Sequence, residues 1–158
     1  KLWFGTHNGL TEYSPNTEKF QTYTPNNKKN IDISSISIGA GNDLWIATLN
    51  QGVFRFDRDK KQFKLFNWGN SASDISSATY VRNSLIIRTG AHELFIYDFN
   101  SNSLKKVRTD VLGFEDFSIL NISLISDSNI YVGSNVGVFQ LDIKFKTKKK
   151  SNLKLFVI

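Results

Sequence analysis

The side chains best suited to gripping a polar ligand in this chain are amides, one histidine–glutamate pair and one indole. Asn8, Asn50 with Gln51, His92 with Glu93, and Asn135 stand in short polar turns, and Trp68 lies between Asn67 and Asn70. An amide offers a donor and an acceptor together, which is what a sugar hydroxyl needs. An indole offers a flat apolar face on which a ring can stack. The same types also build tight hairpin turns, where Asn and Gly accept left-handed backbone and Asn bonds to its own chain. A loop Trp packs over a strand edge as readily as it stacks on a ligand.

Other chemistries find less support. His7 and His92 occupy similar turns, but no metal-ligand spacing links them to further ligands. Asp110, Glu115 and Asp116 form an acidic cluster with no partner nucleophile, and read as solvated loop carboxylates. There is no Gly-x-Ser-x-Gly elbow, and neither His stands in a triad context. No glycine-rich phosphate loop occurs. The 158 residues contain no Cys, which removes thiolate metal sites, disulfides and cysteine nucleophiles and leaves the redox compartment open. The sequence therefore assigns no catalytic residue, no metal and no cofactor.

What must position these turns is a repeat. Leu2-Trp3-Phe4-Gly5-Thr6 returns as Leu44-Trp45-Ile46-Ala47-Thr48, as Leu85-Ile86-Ile87-Arg88-Thr89 and as Ile130-Tyr131-Val132-Gly133-Ser134, at spacings of 42, 41 and 45. A hydroxyl residue closes each run. A second run follows at Leu10–Tyr13, Val53–Phe56, Leu94–Tyr97 and Val138–Leu141, with Asp57, Asp98 or Asp142 after the last three. Third runs fall at Phe20–Tyr23, Phe63–Phe66, Leu104–Val107 and Leu153–Val157. Fourth runs precede the later copies at Ile36–Ile38, Ala78–Val81 and Ile119–Leu124.

Four short β-rich runs per unit of about 42 residues, with no helical periodicity, is the arithmetic of a β-propeller blade. The fold class is all-β: a partial propeller of about four blades, each of four antiparallel strands A to D. The predicted blades are 1–24 (lacking strand A), 31–67, 75–108 and 118–158, in one domain of 1–158. Gly5, Ala47 and Gly133 in strand B read as packing sites for a neighbouring blade. Arg88 breaks that rule, so the third blade is expected to be degenerate or to pack differently. B–C turns and D–A loops of a propeller share one face, which adds Asn26, Asn27, Lys28 and Lys29 to the candidate rim. The start at Lys1 rather than Met, and the missing strand A, suggest a piece of a longer chain, with apolar end faces covered by further blades or by self-association.

Leu-Trp-Phe-Gly-Thr-His-Asn-Gly-Leu-Thr-Glu-Tyr and Leu-Trp-Ile-Ala-Thr-Leu-Asn-Gln-Gly-Val-Phe-Arg-Phe-Asp resemble the two-component-regulator propeller repeat. The first two copies match well, the third poorly and the fourth in part. The resemblance implies the periplasmic sensor region of a hybrid histidine kinase of Bacteroidetes type, the ectodomain of an inner-membrane protein. It further implies a response to glycan-derived oligosaccharides, other blades of the parent propeller as neighbours, and a homodimer in the parent receptor. A propeller-type lyase or hydrolase fragment, and a purely structural interaction propeller, are the alternatives.

Composition agrees with a folded domain: 40% hydrophobic and 13% aromatic residues are too many for disorder. Five of the six net positive charges come from Lys144, Lys146, Lys148, Lys149 and Lys150. That run reads as a solvated outer edge, so neither nucleic acid nor membrane is expected to bind this segment.

Overall fold

The structure, a computed structural model, describes residues 1–25, 30–107, 118–126 and 129–141. Among the described residues, fourteen strands form four antiparallel sheets. The chain divides into two compact units, Lys1–Val107 and Arg108–Ile158. In the first unit, β1 (Leu2–Thr6), β2 (Gly9–Ser14) and β3 (Lys19–Tyr23) make a three-stranded sheet. The next sheet runs β4 (Ile33–Ile38), β5 (Asp43–Thr48), β6 (Gly52–Asp57), β7 (Gln62–Leu65). The third runs β8 (Ile75–Val81), β9 (Ser84–Thr89), β10 (Leu94–Asp98), β11 (Ser103–Lys106). The second unit holds β12 (Ile119–Ser126), β13 (Asn129–Ser134) and β14 (Gly137–Leu141). The order in both four-stranded sheets is the expected A-B-C-D. The Leu153–Val157 run, the Lys144–Lys150 run and Asp142 lie outside the described residues.

In the two four-stranded sheets the second and third strands are largely buried on both faces. β5 is buried from Leu44 to Thr48 and β10 throughout, whereas β7 and β3 are mostly exposed. Alternation assigns the faces. Leu44, Ile46, Phe54 and Phe56 of the second sheet meet Trp3, Leu10 and Tyr23 of the first. On the other side, Trp45, Ala47 and Val53 meet Leu85, Ile87, Phe95 and Tyr97 of the third. The small residue of strand B has a direct cause: a Cβ on Gly5 would lie 2.5 Å from Ile33 Cγ2 in the first strand of the next sheet.

The first strands of the second and third sheets clasp each other through serines. Ser35 Oγ accepts from Ala78 N–H (3.0 Å), Ser37 Oγ accepts from Tyr80 N–H (2.9 Å), and the Ser34 hydroxyl donates to the Ile75 carbonyl. Side-chain hydroxyls thus satisfy backbone groups that no ladder partner reaches. β4, β8 and β12 all carry a register shift near their start, between Ile33 and Ser35, Ile75 and Ser77, and Ile119 and Asn121.

The third copy is regular despite Arg88. β8–β11 complete a four-stranded sheet, and Leu85 and Ile87 occupy the places of Leu44 and Ile46. Arg88 is accommodated half-buried in β9, where burial pushes its guanidinium below its ordinary pKa.

Candidate functional site

The residue that closes strand B builds the B–C turn in every copy. Thr6 Oγ1 donates to Gly9 O (2.9 Å) and accepts from Asn8 N–H (3.1 Å). Thr48 Oγ1 donates to Gly52 O (2.8 Å) and accepts from Gln51 N–H (2.9 Å). Thr89 Oγ1 accepts from Glu93 N–H (3.2 Å), and Ser134 Oγ donates to Gly137 O (2.9 Å) and accepts from Val136 N–H (3.1 Å). Gly9, Gly52 and Gly137 have positive φ, as does His92 at 61°. The repeated Asp does the same for the C–D turn: Asp57 accepts from the N–H groups of Asp59 and Lys60, and Asp98 from Asn100 N–H. The Lys60 N–H, foremost, holds the Asp57 carboxyl below the usual carboxylate range.

These turns lie against the chain entering each strand A, as expected for a shared rim. Asn50 Nδ2 donates to Asn30 O (2.9 Å), Leu49 N–H to Asp32 O (2.9 Å), and Gly90 N–H to Asp74 O (3.0 Å). In the second unit Asn135 Oδ1 accepts from Ser118 N–H (2.9 Å). Contacts also pass between sheets: His7 Nδ1 is 2.9 Å from Asp32 Oδ1, and Gly52 N–H donates to Ser73 O (2.8 Å). The sequence candidate Asn50 is thereby brought onto one polar patch with His7, Asn30 and Asp32. Asn8 and Gln51 flank it in the two turns. Glu93 instead pairs with Lys106 across its own sheet (2.6 Å).

Trp68 is not a ligand platform but a core residue. It is 2% exposed and stands edge-on to Phe95, with ring centroids 5.3 Å apart. The polar loop around it folds it inward: Asn67 Oδ1 accepts from Gly69 N–H and Asn70 Oδ1 from Ala72 N–H. Asn26–Lys29 and Asp110, Glu115 and Asp116 lie outside the described residues. Among the described residues, no three His, Asp or Glu side chains gather as a metal would require.

Two features of the first unit were not anticipated. Glu12, 3% exposed, receives the Tyr23 hydroxyl (2.9 Å) and the Lys61 ammonium (3.0 Å) on Oε2 and the Lys1 ammonium on Oε1. Lys61 also lies 4.7 Å from the Trp3 ring centroid. Burial pushes the Glu12 carboxyl up, but the bonds from Lys1, Lys61 and Tyr23 outweigh it and bring its pKa to about 2. Burial, with the Glu12 carboxylate beside it, raises the Tyr23 phenol. In the second sheet, at the matching strand-C position, Arg55 Nε donates to Asp43 Oδ2 (2.6 Å). Ala40, Asp43, Trp45, Arg55, Tyr80, Asn83 and Phe99 line an open pocket of about 160 Å³ beside that pair. The only sequence signal for either feature was a charged residue facing the strand-B Trp in an apolar strand.

No family model and no curated protein matches the chain. Solved structures do share its fold. The extracellular domain assigned to the hybrid two-component system BT3049 of B. thetaiotaomicron superposes with a TM-score of 0.74 at 23% identity, over 92% of this chain and 21% of that one. The extracellular domain of BT4673, from the same organism, gives 0.71 at 20% identity, over 95% and 21%. Human WBSCR16 gives 0.62 at 9% identity, over 89% and 44%. The chain thus spans about a fifth of the two bacterial structures. The likeness is one of fold: four antiparallel sheets consistent with the blades of a partial propeller.

Proposed function

We propose that this chain is a ligand-sensing propeller segment of an extracytoplasmic, periplasmic sensor domain, without enzymatic activity of its own. Its parent is a hybrid two-component regulator that acts as a dimer and responds to glycan-derived oligosaccharides. The observation that carries this reading is the blade repeat, whose fold agrees with that of bacterial two-component ectodomains. The polar patch of His7, Asn30, Asp32 and Asn50, flanked by Asn8 and Gln51, supplies hydroxyl-matching groups. The pocket beside Arg55 and Asp43 lies at the opposite end of β5 and is a separate, aromatic-walled recess. Fold by itself does not fix function, so the ligand argument rests on these groups. A signal from such a site is bounded by the ligand's difference in affinity between two packing states.

Isothermal titration of the full ectodomain against neutral and acidic oligosaccharides tests the reading. Saturable binding weakened about tenfold or more by Asn50→Ala together with Asp32→Ala is expected, at about 1.4 kcal/mol per decade. Silence across the panel would overturn oligosaccharide sensing.

A further inference from the structure

The second and third sheets leave an open recess between them, at the end of β5 away from the polar patch. Trp45 of β5, Tyr80 of β8 and Phe99, next after β10, wall it with three rings. Their centroids are 5.3 Å apart for Trp45 and Phe99, 6.0 Å for Tyr80 and Phe99, and 6.3 Å for Trp45 and Tyr80. The volume is about 160 Å³. Apolar cavities of roughly 150 Å³ hold benzene, so the recess takes one six-membered ring.

Arg55 stands at its rim, paired across the strands with Trp45. Its Nε–H donates to Asp43 Oδ2 (2.6 Å), and Nη2 meets the same oxygen. Both contacts use one edge of the planar guanidinium, so the largely buried Asp43 fixes its plane. The outer Nη1–Nη2 edge has no partner among the described residues. Two parallel N–H groups on such an edge match the two oxygens of a carboxylate. On its other side Arg55 joins Lys60 and Lys64 around a second open recess, where Asp43 and Asp57 are the acids; three cations against two carboxylates leave one net positive charge. Of the other polar groups on the aromatic recess, the Tyr80 hydroxyl donates to Asn83 Oδ1 (3.1 Å) and Asn83 Nδ2 donates to Asn100 Oδ1 (2.7 Å). Ring hydroxyls would find few partners there, and an apolar ring needs none.

We propose that the Trp45–Tyr80–Phe99 recess binds a carboxylate carried on a single apolar or aromatic ring, of about the size of benzoate, with the ring against the three aromatics and the carboxylate on the outer edge of Arg55. Asp43 is the positioning residue: it holds the guanidinium flat at the rim. The site is independent of the polar patch at the other end of β5 and differs from it in kind, one charged fork over apolar walls instead of a spread of amides.

Titration of the isotope-labelled 158-residue chain with benzoate, followed by amide and indole NMR shifts, tests the proposal. Saturable shifts centred on Trp45, Tyr80, Asn83 and Phe99 are expected, with a dissociation constant of about 1 mM, as suits so small a ligand. Benzamide has the shape without the charge, and glucuronate the charge on a hydroxylated ring; each should bind about tenfold more weakly. Arg55→Gln should weaken benzoate about tenfold or more, and Arg55→Lys, which keeps the charge and loses the fork, about threefold or more. Arg55 is exposed, so shifts far from the recess should match the parent chain in both variants; should either variant unfold, the comparison of benzoate with benzamide on the parent chain decides. Five results overturn the proposal: no shift up to ~20 mM benzoate, shifts that fall away from the recess, benzamide bound as tightly as benzoate, glucuronate bound as tightly as benzoate, or a folded Arg55→Gln chain that binds benzoate as the parent does.

Discussion

Replacing Glu12 by Gln isolates the charge of the buried cluster while keeping its shape and one acceptor for the Tyr23 hydroxyl. The carboxyl is held at about 2 instead of 4.5, equivalent to about 3 kcal/mol at ~1.4 kcal/mol per decade of proton affinity. That figure is a ceiling. The Lys1 side chain is 57% exposed and that of Lys61 30%, so solvent screening brings the expected loss to about 1–2 kcal/mol. The sign follows from the lowered pKa. The stabilisation is fully present above 4.5, fades as pH falls from 4.5 through about 2, and is absent below that. Urea titrations of the parent and Glu12→Gln chains at neutral pH, at pH near 3 and at pH near 1.5 read the difference directly. Other acid-labile groups are common to both chains and cancel. The expected result is a gap of about 1–2 kcal/mol at neutral pH that narrows near pH 3 and closes near pH 1.5. An equal gap at all three values would mean that shape, not charge, is lost. No gap at neutral pH would mean that the ion pairs contribute nothing. Either result refutes the reasoning.

Two further substitutions probe the junctions. Trp68→Ala should destabilise the first unit by about 3–5 kcal/mol in chemical denaturation, as removal of a large buried side chain does; a loss below about 1 kcal/mol would return Trp68 to the surface. Gly5→Ala places a methyl 2.5 Å from Ile33 Cγ2 and should cost about 1–3 kcal/mol. Combined with Ile33→Ala, the pair should cost clearly less than the sum of the two single losses, and strict additivity would show that the two residues do not meet.

Much of the fold was legible because its cause is periodic. A hydroxyl every 41 to 45 residues marks a turn that needs one, and the structure shows Thr6, Thr48, Thr89 and Ser134 in that role. The small residue of strand B was legible for the same reason, since Gly5 stands where Ile33 closes in. The early part of strand A was missed because Ser34 and Ser35 look polar and loop-like. Their hydroxyls are in fact spent on the neighbouring strand, so a polar run there is compatible with a central position. Trp68 misled for the converse reason. Its flanks, Asn67, Gly69 and Asn70, are turn residues, and turn residues on both sides of an indole tuck it in as easily as they display it. The Glu12 cluster was invisible because Lys61 is 49 residues away from it in sequence and stands in the turn between β6 and β7.

Periodicity also decides where function can reside. Residues that recur in most or all copies are committed to building them: Thr48 to its turn, Asp57 and Asp98 to theirs, Ala47 to its neighbour. What differs between copies at one register position is free to differ, and the strand-C position facing the strand-B aromatic is such a place. It holds Glu12 opposite Trp3, Arg55 opposite Trp45, Ile96 opposite Ile86 and Gln140 opposite Tyr131. Where that residue is charged, the fold supplies a counter-charge from elsewhere: Lys1 and Lys61 for Glu12, Asp43 for Arg55. Glu12 is buried and fully engaged, and so serves the junction. Arg55 is 57% exposed on its side chain and borders an open, aromatic-walled pocket. Of the two, Arg55 is the one that retains donors for a ligand, since a guanidinium carries five N–H groups and Asp43 offers it a single carboxylate.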